Sequence, residues 1–124
     1  TTKAPNIIAI AGGVGITAVV PTLLGHSGWH KLFWAVRSKP LADSVESTLG
    51  EPTWKQLNTV IFHDQRMEIP QLLADEIAKF TGSDLTIVIS GPPKMADEVR
   101  VIVADMIKSR PSLCLTLVEE SFSW

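Results

Sequence analysis

A chain of 124 residues, 45% hydrophobic and 19% charged, has the length of one domain and the composition of a packed core, which excludes a disordered tail. Its 11 Lys and Arg against 13 Asp and Glu leave a net charge of −2, so no basic field exists to hold nucleic acid or an anionic membrane. A single cysteine, Cys114, excludes a disulfide framework and a multi-cysteine metal site, and no metal site is expected. No apolar run reaches the roughly 18 residues of a spanning helix, so direct membrane insertion of this segment is not expected.

The chain opens Thr1-Thr2-Lys3, without the charged head and apolar body of a signal peptide. It lacks an initiator Met, and an apolar strand pattern begins by Asn6; both suggest a segment of a longer protein. Five short apolar runs follow: Ile7 to Ala11, Leu32 to Val36, Val60 to Phe62, Leu85 to Ile89 and Leu113 to Val118. Most are continuous rather than alternating, as in strands buried on both faces. In the last run Cys114 and Thr116 interrupt the leucines, which reads as an edge strand, with Cys114 a buried strand residue.

The intervening stretches read as helices. Thr17 to Leu24 is the first, despite Pro21, and Leu41 to Leu49 a short second; Gly50 to Lys55 carries no clear pattern. Pro70 suits a first helical turn, Leu73, Ile77 and Phe80 then share one face, and Gly82 ends the run. Met95, Val99, Ile102 and Met106 repeat at helical spacing as core. Lys108 and Arg110 suit the negative end of that helix, and Pro111 stops it. Strands alternating with helices predict an α/β domain: an open, doubly wound, five-stranded parallel sheet in order 3-2-1-4-5, a Rossmann-like nucleotide-binding fold covering residues 1–124. In such sheets ligands bind at the carboxyl ends of the strands, near the switch between the first and fourth.

The end of the first strand carries Ala11-Gly12-Gly13-Val14-Gly15-Ile16-Thr17-Ala18, in which Gly13, Gly15 and Ala18 match G-x-G-x-x-G/A. Missing side chains let the backbone turn tightly and approach an anion, and the helix that follows presents unpaired N–H groups. Thr17 adds a hydroxyl that can reach a phosphate oxygen. No Gly-Lys-Ser/Thr follows, so this is not a P-loop. The second strand ends in Arg37-Ser38-Lys39, close to the position about 20 residues on where a dinucleotide fold contacts the adenosine ribose. An acid there bonds a 2′-hydroxyl; Arg37 suits a 2′-phosphate, which favours NADP over NAD.

The fourth strand ends in Ser90-Gly91-Pro92-Pro93-Lys94-Met95, which by itself reads as an ordinary strand–helix turn. His63 and Asp64 are neighbours on a strand and point to opposite faces, so they make a poor acid–base pair. His26 and His30 have no third ligand near them in sequence. No G-x-S-x-G elbow supplies a nucleophile.

Four segments together resemble the NADPH-binding domain of the ferredoxin–NADP⁺ reductase superfamily, and within it fungal ferric-chelate reductases and, more distantly, NADPH oxidases. They are Ala11 to Thr17, Phe33 to Ser38, Ser90 to Met95 and Glu119-Glu120-Ser121-Phe122-Ser123-Trp124. The resemblance implies a multipass membrane haem protein whose cytosolic tail holds an FAD-binding β-barrel followed by this domain. NADPH would reduce FAD, and electrons would cross the membrane through haems to ferric or cupric ions. Gly12, Gly13, Gly15 and Thr17 would hold the diphosphate, and Arg37 with Ser38 the 2′-phosphate. Gly91, Pro92 and Met95 would lie beside the nicotinamide; Ser90 and Trp124 would be the catalytic residues, Ser90 positioning the nicotinamide ring and Trp124 stacking on the flavin. Ser90 stands where the superfamily commonly has Cys, and Ala18 where the loop often has Pro. The partner implied is the FAD-binding domain of the same full-length protein, and without it the segment is not expected to be a competent reductase. Two alternatives stay open: an oxidase-type domain feeding electrons to oxygen, and a nonenzymatic nucleotide-sensing module. A sensor would leave Trp124 with no flavin to cover.

Overall fold

The computed structural model describes residues 6–26 and 28–120. Its element order is β1 (Asn6–Gly12), a single 3₁₀ turn (Gly13–Gly15), α1 (Ile16–Leu24), β2 (His30–Val36), α2 (Lys39–Leu49), α3 (Glu51–Gln56), β3 (Thr59–His63), α4 (Ile69–Lys79), β4 (Asp84–Ser90), α5 (Pro93–Ser109) and β5 (Cys114–Glu119). The five strands form one parallel sheet in the order β3-β2-β1-β4-β5. This is the α/β, Rossmann-like architecture that the strand–helix alternation predicts.

Strand periodicity divides the core in two. Ile8 and Ile10 of β1, with Leu85, Ile87 and Ile89 of β4, face α4 and α5, where they meet Leu73, Ile77, Val99 and Val103. Ala9 and Ala11 face the other way, with Leu32, Trp34 and Val88, against Ile16, Val19 and Leu23 of α1. Each fully buried Ile or Leu in these layers contributes about 1.5–3 kcal/mol. The alanines of β1 leave the room that Trp34 fills, since Trp34 pairs in register with Ala11 and is wholly buried.

The edges depart from the sequence expectation. The run at β3 is continuous but not buried on both faces: Val60 is 37% and Ile61 40% exposed, because β3 is the outer strand beyond β2. At the opposite edge β5 is half covered, as its interrupted pattern suggests. Cys114, however, is exposed, not buried, because it lies on the face of β5 away from Leu113 and Leu115, which pack into the α4–α5 layer.

The helices also differ at α3 and at the end of α4. Residues Gly50 to Lys55, without a readable pattern, overlap the six-residue α3 (Glu51–Gln56), too short to show a period. Gly50 breaks the chain between α2 and α3 at φ +81, Pro52 starts α3, and Lys55 pairs with Glu51 at 3.0 Å. Helix α4 ends at Lys79, so Phe80 is extended rather than helical, and Gly82 is not a left-handed cap. The Arg110 guanidinium instead donates to the carbonyls of Ile77 and Phe80, capping α4 from the end of α5. Pro21 sits inside α1 on its exposed side, and its carbonyl accepts from Gly25 at 3.2 Å.

Candidate functional site

The chain leaves β1 through Gly12 and turns at once into the 3₁₀ turn and α1. Gly13 makes that turn at φ +55, a conformation that favours glycine, and a Cβ placed on it would stand in open space. The buried indole of Trp34 donates to the Gly13 carbonyl at 2.8 Å. Gly15 is small for another reason: a Cβ there would run into the backbone carbonyl of Ser90 at the end of β4. It keeps the start of α1 against the sheet. The Thr17 hydroxyl donates to the Val14 carbonyl at 2.8 Å, so its proton is spent inside the turn.

The carboxyl ends of all five strands line a cleft of about 1290 Å³ at the switch point, ample for a dinucleotide. Of the residues the sequence singles out, Gly12, Gly13, Arg37, Ser38, Gly91, Pro92 and Met95 line it. Gly15, Thr17 and Ser90 do not. Ser90 is 1% exposed, and its Oγ has no hydrogen-bond partner among the described residues. By strand alternation it shares the α1 face with Val88, while Ile89 faces the cleft. Trp124 lies outside the described residues, as do Ser121, Phe122 and Ser123.

Met95 fills the middle of the switch point. A Cβ on Gly12 would lie 2.9 Å from its Cε, and one on Gly91 would lie 2.8 Å from its Sδ. The two glycines thus make room for a thioether, and any ligand crossing from β1 to β4 rests on that thioether or displaces it. The Met side chain is suited to either, having three rotatable bonds and a polarizable sulfur.

Of the charged residues lining the cleft, Arg66, Glu98, Arg100 and Glu119 are paired, whereas Asp64, Lys94 and Glu120 have no ion pair among the described residues. Arg66 lies 3.4 Å from Glu68 and 4.0 Å from Glu98. Arg100 on α5 binds both carboxylate oxygens of Glu119 on β5 and also pairs with Asp97. Hydrogen bonds from Arg100 hold the Glu119 carboxyl below its ordinary value, and those to Glu119 and then Asp97 raise the guanidinium. Arg37, by contrast, is exposed at the cleft wall and has no carboxylate within ion-pair distance among the described residues. Ser38 beside it caps α2, its Oγ accepting from the Leu41 N–H at 3.2 Å.

Sequence reasoning missed Trp34, Arg66, Arg100 and Glu119 as residues of this site. Trp34 carried a signal: a buried indole needs an acceptor for its N–H. The charged residues carried none, because the approaches that pair Arg100 of α5 with Glu119 of β5 and Arg66 with Glu98 of α5 are tertiary. Asp64 is not on β3 but just past it, in a turn at φ +53, and it reaches the cleft without meeting His63 across a strand. His26 and His30 do meet, rings edge to face with centroids 6.2 Å apart. Among the described residues no group of three or more His, Cys, Asp or Glu is placed to hold a metal ion.

An open doubly wound sheet with its cleft at the β1/β4 switch point defines a Rossmann-like α/β domain. Over 73 residues, 59% of its length, the chain is 33% identical to ferric reductase transmembrane component 3 of Saccharomyces cerevisiae, a similarity that supports a relationship to ferric reductases. The chain spans about 10% of that relative's length. No family model matches the chain. No helix among the described residues is long and apolar enough to cross a membrane.

Proposed function

We propose that the chain binds NADPH and presents it for hydride transfer to FAD held by another domain of a larger, haem-containing membrane reductase, with ferric (or cupric) ions as final acceptor. The carrying observation is the open glycine turn at Gly13 facing the same cleft as Arg37, which is unpaired among the described residues. The similarity to a ferric reductase supports the oxidoreductase part of the reading. That relative is a transmembrane component, which supports placing the chain in a membrane protein; the cytosolic face is the location proposed here.

The residues present fit the nucleotide. The backbone around Gly13 and Val14 leaves space where a side chain would obstruct a diphosphate. The Arg37 fork matches two oxygens of a 2′-phosphate, a charge-assisted contact worth about 1.5–3 kcal/mol. Gly91, Pro92 and Met95 form the wall that would receive the nicotinamide, which supplies a hydride when bound. Trp124 would cover the flavin of the assembled reductase.

Calorimetric titration of the chain with NADP⁺, NAD⁺ and FAD tests the reading. NADP⁺ should bind, NAD⁺ roughly tenfold more weakly, and FAD without stoichiometric saturation. Tight FAD binding, or none of NADP⁺, refutes it.

A further inference from the structure

We propose that Trp34 is the positioning residue of the glycine turn: its indole N–H fixes the Gly13–Val14 peptide so that the turn offers an N–H, not a carbonyl, to a diphosphate. The inference rests on the nucleotide reading above and names the residue that prepares its anion site.

Gly13 by itself leaves the matter open. A glycine at φ +55 has neighbouring wells, and the peptide that follows it can rotate with little steric resistance. In one orientation its carbonyl would face an arriving anion and repel it. The structure holds the other. Trp34 lies beside Ala11 in the β1–β2 register, and its Nε1 donates to the Gly13 oxygen at 2.8 Å. Because the peptide is planar and trans, the N–H of Val14 points opposite to that carbonyl, away from the indole.

The indole is itself fixed. Trp34 is wholly buried in the layer that α1 covers. Trp54 of α3 meets it with ring centroids 6.0 Å apart and planes at 69°. A buried N–H must keep its acceptor, so a flip of the Gly13–Val14 peptide would orphan the indole as well as expose the carbonyl. Trp34 touches no ligand in this scheme; it acts through Gly13.

The test is Trp34→Phe, which keeps an aromatic ring and removes the donor, compared with Trp54→Phe, which disturbs the same packing and leaves the donor in place. NADP⁺ affinity is measured by calorimetry where both variants are folded. Trp34→Phe should weaken NADP⁺ about five- to tenfold, the effect of one lost hydrogen bond, and Trp54→Phe should change it less than about twofold. Parent affinity in Trp34→Phe, or equal losses in the two variants, overturns the proposal and leaves the nucleotide reading intact. A parent chain that binds no NADP⁺ overturns both. If Trp34→Phe does not fold, ¹⁵N spectra of the parent decide. The Trp34 indole proton should be protected from solvent exchange and should shift with the Val14 amide on titration with inorganic pyrophosphate. An indole proton that exchanges freely, or stays unmoved while Val14 shifts, refutes the coupling.

Discussion

Alanine at position 15 separates packing from binding within one short loop. Gly15 is right-handed helical, at φ −57 and ψ −20, so alanine is conformationally acceptable there. Restricting the unfolded chain would even favour the variant by about 0.4–1 kcal/mol. The obstacle is space. The new Cβ would lie 2.8 Å from the Ser90 carbonyl carbon and 3.2 Å from the Gly91 nitrogen. Both atoms are backbone, and Ser90 is held in the sheet opposite Ala11, so neither can swing aside as a side-chain tip would. Overpacking of this kind costs about 1–3 kcal/mol, and contact with fixed backbone belongs in the upper part of that range. The net loss is then about 1–2.5 kcal/mol. Unfolding entropy of about 2.1 cal/mol/K per residue converts this to a fall in Tm of about 4–10 °C for a domain of this length. Thermal unfolding followed by circular dichroism reads the shift. A variant as stable as the parent, or more stable, would show that the α1–β4 contact yields and that the steric argument is wrong.

Gly13→Val is expected to behave differently: it strains a positive φ at a cost of about 1–2 kcal/mol and places a branched side chain in the open space of the turn, so NADP⁺ binding should be lost by calorimetry in protein that remains folded. Arg37→Ala should weaken NADP⁺ about tenfold or more and leave NAD⁺ nearly unchanged; equal losses would place its role in folding. Met95→Ala removes the thioether from the wall that would receive the nicotinamide and should weaken NADP⁺ binding in calorimetry; because Met95 is only half-buried, its stability cost should stay under the about 2–5 kcal/mol of a core truncation. The Glu119 carboxyl titrates below its ordinary value of 4.5 in the folded chain, so the unfolded state takes up its proton first. The contribution of the Arg100–Glu119 pair is therefore complete well above pH 4.5 and is lost as pH falls through the lowered folded value. Urea midpoints between pH 3 and 6 should show a shallower acid dependence in Glu119→Gln. The difference should be small, since both side chains are nearly half exposed.

The strand–helix alternation, the strand order and the position of the glycine turn were legible in the sequence because they depend on local period and on chirality rules that hold for any parallel sheet. The continuous runs of β1 and β4 announce burial on both faces. The same signal misleads at β3, where an outer position, not composition, exposes Val60 and Ile61. Helix α3 was illegible because six residues do not complete two turns.

Within the site, the sequence by itself determined which residue types stand at each strand end: glycines after β1, Arg37 after β2, and Gly91 with two prolines after β4. Only the tertiary structure decided what each glycine is for. Gly13 opens to the cleft, Gly15 makes way for the backbone of β4, and Gly12 and Gly91 make way for Met95. It also decided that the indole of Trp34 donates to the Gly13 carbonyl, and that Arg100 is neutralised by Glu119 while Arg37 stays unpaired among the described residues. The reason is physical. A motif fixes where side chains are missing along one strand, whereas contacts depend on how neighbouring strands and helices approach, and that is set by packing the two sides of the sheet at once.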